Sequence, residues 1–470
     1  MDIKLHNTMA RKVEIFTPIK KGEVKIYACG PTVYGYQHIG NLRTYVSEDL
    51  LKRMFLYNKY KIKHVINVTD VGHLTSDSDV GEDKLVKALK REGLPLTAEA
   101  MLKLSDKYFQ EFKKDFERLN IISPDVWSKA TEHIKEMIKL VKKIEKNGYT
   151  YSAGGNVYFD ISKFKDYGKL AKLKLDELQA GSRKDIDTEK KSPLDFVLWF
   201  TKSRYKQIMM WDSPWGMGWP GWHLECSAMS MKYLGEQFDI HCGGKEHIPV
   251  HHTNEIAQSE AATGKKWVNY WLHTEWLTLK EGKMSKSKGT FFRVSQLVDK
   301  GYDPLAYRYL CLTAHYRTPL TFSWDALDAA QTAFNRLKEN VIALKKDLSS
   351  GMDRQKFDYY KEEFHRAINN DLDTPKAISL VWNILKDKEL GSKEKFELLV
   401  DYDRVLGLNI EDMEEEIVEV SKEIMDKIKK REKARKEKDW KTADKLRDEL
   451  LAEGIILKDT PVGVKWEKKK

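Results

Sequence analysis

The chain has 470 residues, 41% of them hydrophobic and 33% charged, which excludes a disordered chain and favours globular domains. A single core stops growing at roughly 250–300 residues, so we expect two or more domains. No apolar run approaches the roughly 20 residues that cross a bilayer, and the charged start, residues 1–4, lacks the apolar region of a signal peptide. The expectation is a cytoplasmic protein without a membrane segment.

The net charge of +10, from 82 Lys and Arg against 72 Asp and Glu, suits a polyanionic partner such as nucleic acid. The alternative is a basic protein that binds no nucleic acid, which composition alone does not exclude. The four cysteines are too few and too scattered for a disulfide framework. Metal binding or burial is therefore expected of Cys29, Cys226, Cys242 and Cys311.

The first part of the chain alternates strand and helix patterns. Residues 24–29 (VKIYAC) predict a buried strand and residues 30–32 a turn. Residues 41–57 predict a helix with apolar residues at four-residue steps, and residues 64–68 (HVINV) a parallel strand. This order opens a nucleotide-binding α/β fold, whose ligands bind where strand ends meet helix starts.

The alternation is interrupted and then resumes. Residues 97–147 predict helix, and residues 166–192 predict an exposed insertion rich in Lys and Asp. A strand, a turn and a helix return at residues 238–241 (FDIH), 242–244 and 253–262. A nucleotide-binding domain split by an insertion explains this order.

The chain beyond residue 327 is predicted to be mainly helical. Thr374 and Pro375 form a good helix start, because Thr can cap the exposed amides and Pro suits the first turn. Residues 427–445 predict one highly charged helix, and residues 453–466 a small strand-and-turn element. The predicted fold class is α/β, a split Rossmann-like domain with a parallel sheet and an inserted connective segment, followed by a mainly helical C-terminal region.

Two short motifs can serve a nucleotide. His38, Gly40 and Asn41 lie at the start of the first long helix, where free amides favour anions and the side chains can donate to phosphate oxygens. The alternative there is a capped turn with a surface histidine. Residues 283–287 (KMSKS) place Lys283 and Lys286 in a glycine-flanked loop that can stabilise pyrophosphate, and the alternative is a solvated linker.

A metal site is a weaker inference from spacing alone. His251 and Glu255 are four residues apart, so a helix projects both from one face, where they can share a metal. Cys29 and Cys226 precede them at no local metal-binding spacing. The alternative is two buried thiols and an ordinary histidine pair.

The two nucleotide motifs together resemble the signatures of class I aminoacyl-tRNA synthetases. That resemblance implies that His38 and Asn41 hold the ATP phosphates in the transition state and that Lys283 and Lys286 close over pyrophosphate. Asn41 stands where the family signature has histidine, and it can still donate a hydrogen bond.

Further segments resemble the cysteinyl-tRNA synthetase family over nearly the whole chain. These segments are residues 27–34 (YACGPTVY), 193–199 (PLDFVLW), 221–229 (GWHLECSAM), 238–241 (FDIH), 251–259 (HHTNEIAQS), 438–445 (KDWKTADK) and 454–457 (GIIL).

The resemblance implies a set of site residues. Those expected to bind zinc are Cys29, Cys226, His251 and Glu255. Those expected at ATP are His38, Gly40, Asn41, Gly243, Glu246 and Lys286, and those expected at the amino acid are Thr69 and Trp222.

The implied reaction is ATP-dependent activation of L-cysteine followed by transfer to the 3′ end of tRNA(Cys). One Zn²⁺ per chain selects the substrate thiol, because zinc favours thiolate over a serine hydroxyl. Mg²⁺ accompanies ATP. The partners are ATP, L-cysteine and tRNA(Cys), and the expected oligomeric state is a monomer.

Six divisions of the chain are expected from the patterns and the resemblance together. They are two catalytic halves at 1–118 and 201–275, a connective insertion at 119–200, a stem-contact region with the KMSKS loop at 276–335, a helical bundle at 336–425 and an anticodon-binding region at 426–470. In the last region the basic helix can neutralise phosphates and Trp440 or Trp466 can stack on a base, although both tryptophans can equally belong to the core.

The sequence departs from the family pattern at three places. Trp219 stands where arginine is common, Glu246 stands where aspartate is usual, and residues 71–83 are longer and different. Burial is the expectation for Cys242 and Cys311.

Three other functions remain open at this point. They are a cysteine ligase that acts on a small amine, a class I synthetase for another amino acid such as methionine, and an inactive paralogue that binds RNA.

Overall fold

The computed structural model describes residues 1–74, 81–173, 189–279, 291–348, 354–415, 421–460 and 463–468. The chain forms two compact units, Met1–Glu411 and Asp412–Lys470, which are described separately. Within the described residues, no helix has both the length and the apolar character that crossing a membrane requires.

The strands, in chain order, are β1 (Lys4–Asn7), β2 (Lys12–Ile15), β3 (Glu23–Ala28), β4 (Lys61–Val68), β5 (Val126–Lys129), β6 (Thr150–Ala153), β7 (Asn156–Phe159), β8 (Phe196–Phe200), β9 (Trp219–Pro220), β10 (Phe238–Gly244), β11 (Val268–Thr274), β12 (Leu277–Leu279), β13 (Leu320–Phe322), β14 (Ile455–Thr460) and β15 (Gly463–Lys468).

The helices are α1 (Ile39–Tyr57), α2 (Lys84–Arg91), α3 (Ala98–Arg118), α4 (Ile134–Lys146), α5 (Trp222–Leu234), α6 (Thr253–Thr263), α7 (Val294–Asp299), α8 (Pro304–Leu312), α9 (Trp324–Lys346), α10 (Arg354–Asn369), α11 (Thr374–Lys386), α12 (Ser392–Leu406), α13 (Lys422–Lys436) and α14 (Trp440–Ala452).

A five-stranded parallel sheet, in the order β5-β4-β3-β10-β11, forms the centre of the first unit. The chain reverses its direction of winding between β3 and β10, and such a switch point opens a crevice at the carboxyl ends of the strands. The parallel, split α/β domain expected from the sequence is therefore confirmed. Strand β5 pairs with β4, so the parallel sheet also includes residues 126–129.

The strands of this sheet are apolar because helices cover both faces. Val24, Ile26 and Tyr27 of β3 are buried, as are Val65 and Ile66 of β4. The sequence predicted a turn at residues 242–244, but β10 continues through Gly244 and pairs with β11 along this stretch. That prediction is wrong because the ladder to β11 extends the strand past its two glycines.

Gly30 is needed where the chain leaves β3. A Cβ atom at this position would lie 1.6 Å from the carbonyl oxygen of Asn67, at the end of the neighbouring strand. The close approach lets the Gly30 amide donate to Asn67 Oδ1 at 2.6 Å. The two strand ends are thereby fixed against each other beside the crevice.

A buried ion network joins α1 to the helical part of the first unit. Asp49 accepts from Arg308 at 2.6 Å and from Arg53 at 2.7 Å, and Arg308 is fully buried. Arg308 also donates to the carbonyl oxygens of Leu406 and Leu119. Because a buried charge is tolerated only when it is paired and hydrogen-bonded, this network holds α1, α8 and the end of α12 in one arrangement.

Strands β6, β7, β8 and β9 form an antiparallel sheet between the two halves of the parallel sheet in sequence. Trp219 on β9 is buried and stacks on Phe200 with ring centroids 5.0 Å apart. This departure from the family pattern therefore serves core packing in the insertion.

Two predictions about the helical region need correction. The cap of α11 is Asp373, which accepts from the Lys376 amide at 3.1 Å, and Thr374 is the first helical residue. The charged segment 427–445 is not one helix, because α13 ends at Lys436 and α14 begins at Trp440. Lys438 between them has a φ of 62°, which continuous α-helix does not allow.

The second unit packs α13 and α14 against the antiparallel hairpin of β14 and β15. Its core contains Ile428, Leu450, Ile455 and Leu457, with Trp466 packed against it. The strand-and-turn element expected at residues 453–466 is confirmed.

The buried Glu48 of α1 is expected to lower the stability of the folded state by an amount that depends on pH. Both its carboxylate oxygens are buried without a hydrogen-bond partner among the described residues, and burial raises the pKa well above its usual range. When the pH rises above the ordinary pKa of a glutamate, the unfolded state releases its proton while the folded state keeps it. The free energy of unfolding therefore decreases as the pH rises. Burying such an unpaired polar group costs roughly 1–3 kcal/mol.

We expect Glu48→Met to raise the melting temperature at pH 8 and to raise it less at pH 5, as measured by calorimetry. The matched control is Glu117→Met, at an exposed glutamate of α3, which should change neither value appreciably. A difference between Glu48→Met and the parent chain that does not vary with pH would contradict the argument.

Candidate active site and metal centre

The site lies where β3 and β10 end side by side. Cys29 follows β3 directly, and its amide donates to the carbonyl oxygen of Cys242 on β10 at 3.2 Å. The loop after β3 leads to His38 and α1, and the chain after β10 forms two short helical segments, Lys245–His247 and Ile248–His252. Chain segments more than 200 residues apart therefore meet at one edge of the sheet.

A cavity of about 220 Å³ opens at this edge. Its lining residues are Cys29, Gly30, Pro31, Thr32, Tyr34, Tyr36, Gln37, His38, Asn41, Thr44, Tyr45, Lys84, Gly244, Glu246, His247 and Phe291. The structure thus brings together four residues that the sequence analysis singled out, Cys29, His38, Asn41 and Glu246.

His38 caps the start of α1. Its Nδ1 accepts from the amide of Asn41 at 3.1 Å, which satisfies a first-turn amide, and the positive end of the helix dipole lies at the cavity. A Cβ at residue 40 would lie 3.0 Å from the His38 ring, so Gly40 makes room for this cap. The arrangement favours an anion at the helix start.

Glu246 also lines the cavity. Its Oε2 accepts from the indole of Trp276 at 3.1 Å, which fixes the carboxylate. Gly244 lines the cavity, whereas Gly243 lies behind it, where a Cβ would stand 2.8 Å from the rings of His247 and His252. The carboxylate can accept hydrogen bonds from a sugar hydroxyl.

The four predicted zinc ligands come together beside this cavity. Ligand atoms of Cys29, Cys226, His251 and Glu255 all lie within 4.8 Å of one another, and all four residues are buried. Cys226 is on α5, Glu255 is on α6, and His251 lies in the π-helical turn that precedes α6. Such π turns are frequent at functional sites.

The internal distances show a tight donor cluster. His251 Nε2 lies 2.6 Å from Glu255 Oε1 and 3.5 Å from Cys226 Sγ. The other ring nitrogen of His251 lies 2.9 Å from His223 Nδ1, a contact that orients the imidazole. Two sulfurs, one imidazole nitrogen and one carboxylate oxygen form a donor set that suits zinc.

A second possible metal group overlaps the first and was missed by the sequence analysis. It consists of Cys29, His241, His252 and Glu255. His252 Nε2 lies 3.1 Å from Cys29 Sγ, and His241 Nε2 lies 2.8 Å from Glu255 Oε2. No local spacing reveals His241, because it reaches the site only through the pairing of β10 with β3.

The charges in the cluster support one another. Burial lowers the pKa of His251, but the Glu255 carboxylate outweighs it and raises the pKa to about 10. Burial raises the pKa of Glu255, but the neighbouring His251 and His241 outweigh burial and hold this pKa well below its usual range.

The two thiols differ in their tendency to ionise. Burial raises the pKa of the Cys29 thiol. Burial also raises the pKa of the Cys226 thiol, but the hydrogen bond with Cys29 and the charge of His251 outweigh burial and lower this pKa to about 7. The surroundings of Cys226 therefore favour its thiolate form, which is the form that binds a metal.

Trp222 and Thr69 lie next to this cluster rather than in the lining of the cavity. The Trp222 indole stacks on His251 at 4.2 Å on one face and on His73 at 4.6 Å on the other. Thr69 donates to Glu225 Oε2 at 2.7 Å. Glu225 is fully buried beside Cys226, and sequence reasoning assigned it no role although it lies in the family-like segment 221–229.

Lys283 and Lys286 lie outside the described residues, so their predicted roles stay predictions. The chain that follows this segment reaches α1, since the Ile39 amide donates to Phe292 O at 2.8 Å. The Phe291 ring packs edge-on against His38 at 5.3 Å. Cys242 and Cys311 are both buried, as expected, and neither belongs to a metal group of the described residues.

Comparison with protein families identifies both units. Residues 15–332 match the model of the tRNA synthetases class I (C) catalytic domain, and residues 419–466 match that of the cysteinyl-tRNA ligase anticodon binding domain. The first match covers more than half of the chain.

Curated relatives are similar to this chain along nearly its whole length. A cysteine–tRNA ligase of Treponema denticola is 48% identical, with 100% of each chain covered. Cysteine–tRNA ligase 1 of Burkholderia lata is 47% identical, covering 98% of this chain and 96% of the relative.

Solved structures are similar in fold. Methionyl-tRNA synthetase of Mycobacterium tuberculosis in complex with methionyl-adenylate aligns with a TM-score of 0.56 at 14% identity, covering 83% of this chain and 92% of that one. The family matches and the full-length relatives carry the assignment: this chain belongs to the cysteine–tRNA ligase family of class I aminoacyl-tRNA synthetases, and it is a ligase.

Proposed function

We propose that this chain activates L-cysteine with ATP and transfers it to the 3′ end of tRNA(Cys). The observation that carries the proposal is the buried group of Cys29, Cys226, His251 and Glu255 beside a cavity capped by the start of α1. Membership of the family and the full-length relatives support it.

In the first step, a carboxylate oxygen of cysteine attacks the α-phosphorus of ATP, and the bond to the β-phosphate oxygen breaks to release pyrophosphate. His38, Asn41 and the helix dipole at the start of α1 stabilise charge on the phosphates, with Lys283 and Lys286 at the pyrophosphate. Gly243 and Glu246 complete the proposed ATP site, and Mg²⁺ accompanies ATP. No side-chain nucleophile is needed, so positioning and charge stabilisation provide the catalysis.

In the second step, a ribose hydroxyl of the terminal adenosine, proposed to be the 2′-hydroxyl, attacks the acyl carbon of the adenylate, and AMP leaves. Thr69 and Trp222 are proposed to contact the amino acid. Trp222 suits this role because its indole is held between two imidazole rings.

Cys29, Cys226, His251 and Glu255 are proposed to hold one zinc ion. Bound zinc supplies a soft cation that accepts a substrate thiolate and disfavours the serine hydroxyl. We favour this group over the overlapping one because it provides two thiols, whereas the second group provides one.

The second unit is proposed to bind the anticodon region of the tRNA. Trp440 is exposed and carries the proposed base contact, whereas Trp466 packs on the core of the unit. The six divisions of the chain given above, a monomeric state and action in the cytoplasm, where tRNA is charged, remain part of the proposal.

The first test is amino-acid-dependent exchange of labelled pyrophosphate into ATP, with cysteine, serine and methionine. We expect exchange with cysteine alone, and we expect it to be lost after zinc removal and restored by added zinc. Exchange with methionine alone would assign the chain to a different amino acid. No exchange with any of the three would support an RNA-binding protein without catalysis.

Zinc content distinguishes the two candidate groups. We expect Cys226→Ser to lose bound zinc and His252→Gln to retain it, because each residue belongs to only one group. Elemental analysis of the purified proteins measures this directly. Cys242→Ser is the matched control, since Cys242 is equally buried beside the site and belongs to neither group. The reverse pattern would assign the metal to the second group.

Lys286→Ala should slow adenylate formation by about 100-fold, because one fixed donor to developing charge is typically worth that much. Cysteine affinity should remain nearly intact, since the lysine is proposed to contact pyrophosphate. Rapid-quench measurement of adenylate in a single turnover gives both values. Lys288→Ala, in the same segment, is the control, and an unchanged rate in Lys286→Ala would remove the lysine from its role.

A further inference from the structure

The segment that departs from the family pattern, residues 71–83, has its two ends joined. The Lys84 amide donates to the carbonyl oxygen of His73 at 2.9 Å, and the Lys84 ammonium lies 2.9 Å from His73 Nε2. Leu74 and Asp83 form an antiparallel bridge directly beside these contacts. Lys84 and His73 are thus held together by both backbone and side chain.

These contacts fix the protonation of the His73 ring. An ammonium group only donates, so Nε2 must be the accepting nitrogen. The proton of the neutral ring is then on Nδ1, which lies 2.7 Å from Thr32 Oγ1 and donates to it. A directed chain of hydrogen bonds runs from Lys84 through His73 to Thr32.

Both ends of this chain reach the cavity. Lys84 and Thr32 line it, and among its described lining residues Lys84 is the only lysine or arginine. The ammonium also lies 5.7 Å from the centre of the Tyr34 ring, another lining residue. The cation is therefore held at the cavity wall by His73, which lies outside the lining, and beside Tyr34, which belongs to it.

The position of Lys84 gives no benefit to its own helix. Lys84 is the first residue of α2, and its cation opposes the positive end of the helix dipole, a cost of up to about 1 kcal/mol at an exposed site. Asp83 already caps this helix through the amides of Leu85 and Val86. The ammonium lies at the cavity, where it can pair with an anion.

The reaction brings two anions together in this cavity. The cysteine carboxylate must approach the α-phosphate of ATP, and the described wall already contains the Glu246 carboxylate. A fixed ammonium offsets this repulsion and costs no rearrangement as charge shifts in the transition state.

We propose that Lys84 is a further catalytic residue that stabilises the reacting carboxylate and α-phosphate during adenylate formation. His73 is its positioning residue: its Nε2 holds the ammonium while its ring face packs on Trp222. This role rests on the proposed cysteine activation. His73 connects the two sides of the site, because its ring stacks on Trp222 beside the proposed metal ligands and its Nε2 contacts Lys84 at the cavity.

The test compares four variants with the parent chain in single-turnover adenylate formation with cysteine and ATP. Lys84→Met should lower the maximal rate by about 100-fold, with a smaller effect on KM for cysteine and for ATP. Lys84→Arg, which keeps the charge, should recover most of that loss. Lys87→Met, at an exposed lysine of the same helix, should match the parent.

The fourth variant, His73→Phe, keeps a ring that can stack on Trp222 and removes both side-chain hydrogen bonds. It should lower the maximal rate as Lys84→Met does, while its zinc content stays at the parent level. A purely structural role for Lys84 would instead lower the melting temperature, and Lys84→Arg would give no rescue of rate.

The outcomes separate this role from the proposed function. A parent chain that forms no cysteinyl-adenylate overturns the proposed function and this role with it. A parent chain that forms adenylate, with Lys84→Met equal to Lys87→Met, overturns the role of Lys84 alone. Loss of rate in Lys84→Met without recovery in Lys84→Arg would also overturn it.

Discussion

The pairing of β3 with β10 is the interaction on which the rest of the site depends. Ile26, Tyr27 and Ala28 lie opposite Ile240, His241 and Cys242 in register, at the point where the winding of the sheet reverses. Because both strands are parallel, their carboxyl ends open the same crevice. Cys29 thereby meets the helical turn that carries His251, and α1 starts at the mouth of the same cavity.

The site combines two environments that demand different chemistry. On the buried side, imidazole, thiol and carboxylate groups stabilise one another's charges in the protein interior, where an unpaired charge is costly. On the open side, the start of α1 with its helix dipole and the Lys84 ammonium lie at the cavity, where they favour anions. Trp222 lies between His251 and His73 and so connects the two sides. The ion network of Asp49 and Arg308 keeps α1 in place beneath both.

Elements with their own periodicity were predictable. The apolar spacing after residue 40 gave α1, and the four-residue step from His251 to Glu255 gave two donors on one face. Features that depend on contacts with distant parts of the chain were not predictable from the sequence. The strand character of Gly243 and Gly244 comes from the ladder to β11, and the break at Lys438 comes from a left-handed backbone that the charge pattern does not reveal. His241 and Glu225 lie in family-like segments, but no local spacing assigns them a role, since each reaches the site through packing.

The sequence by itself determined the alternation of strand and helix and the four-residue step from His251 to Glu255, because these depend on residue type and short spacing, whereas the full donor set followed only from the family resemblance. Only the tertiary structure decided which donors meet. Cys29, Cys226 and His251 come from three elements, and Lys84 reaches the cavity through His73. The physical reason is that contacts between distant segments are set by the order and register of the sheet strands. No local pattern encodes that register.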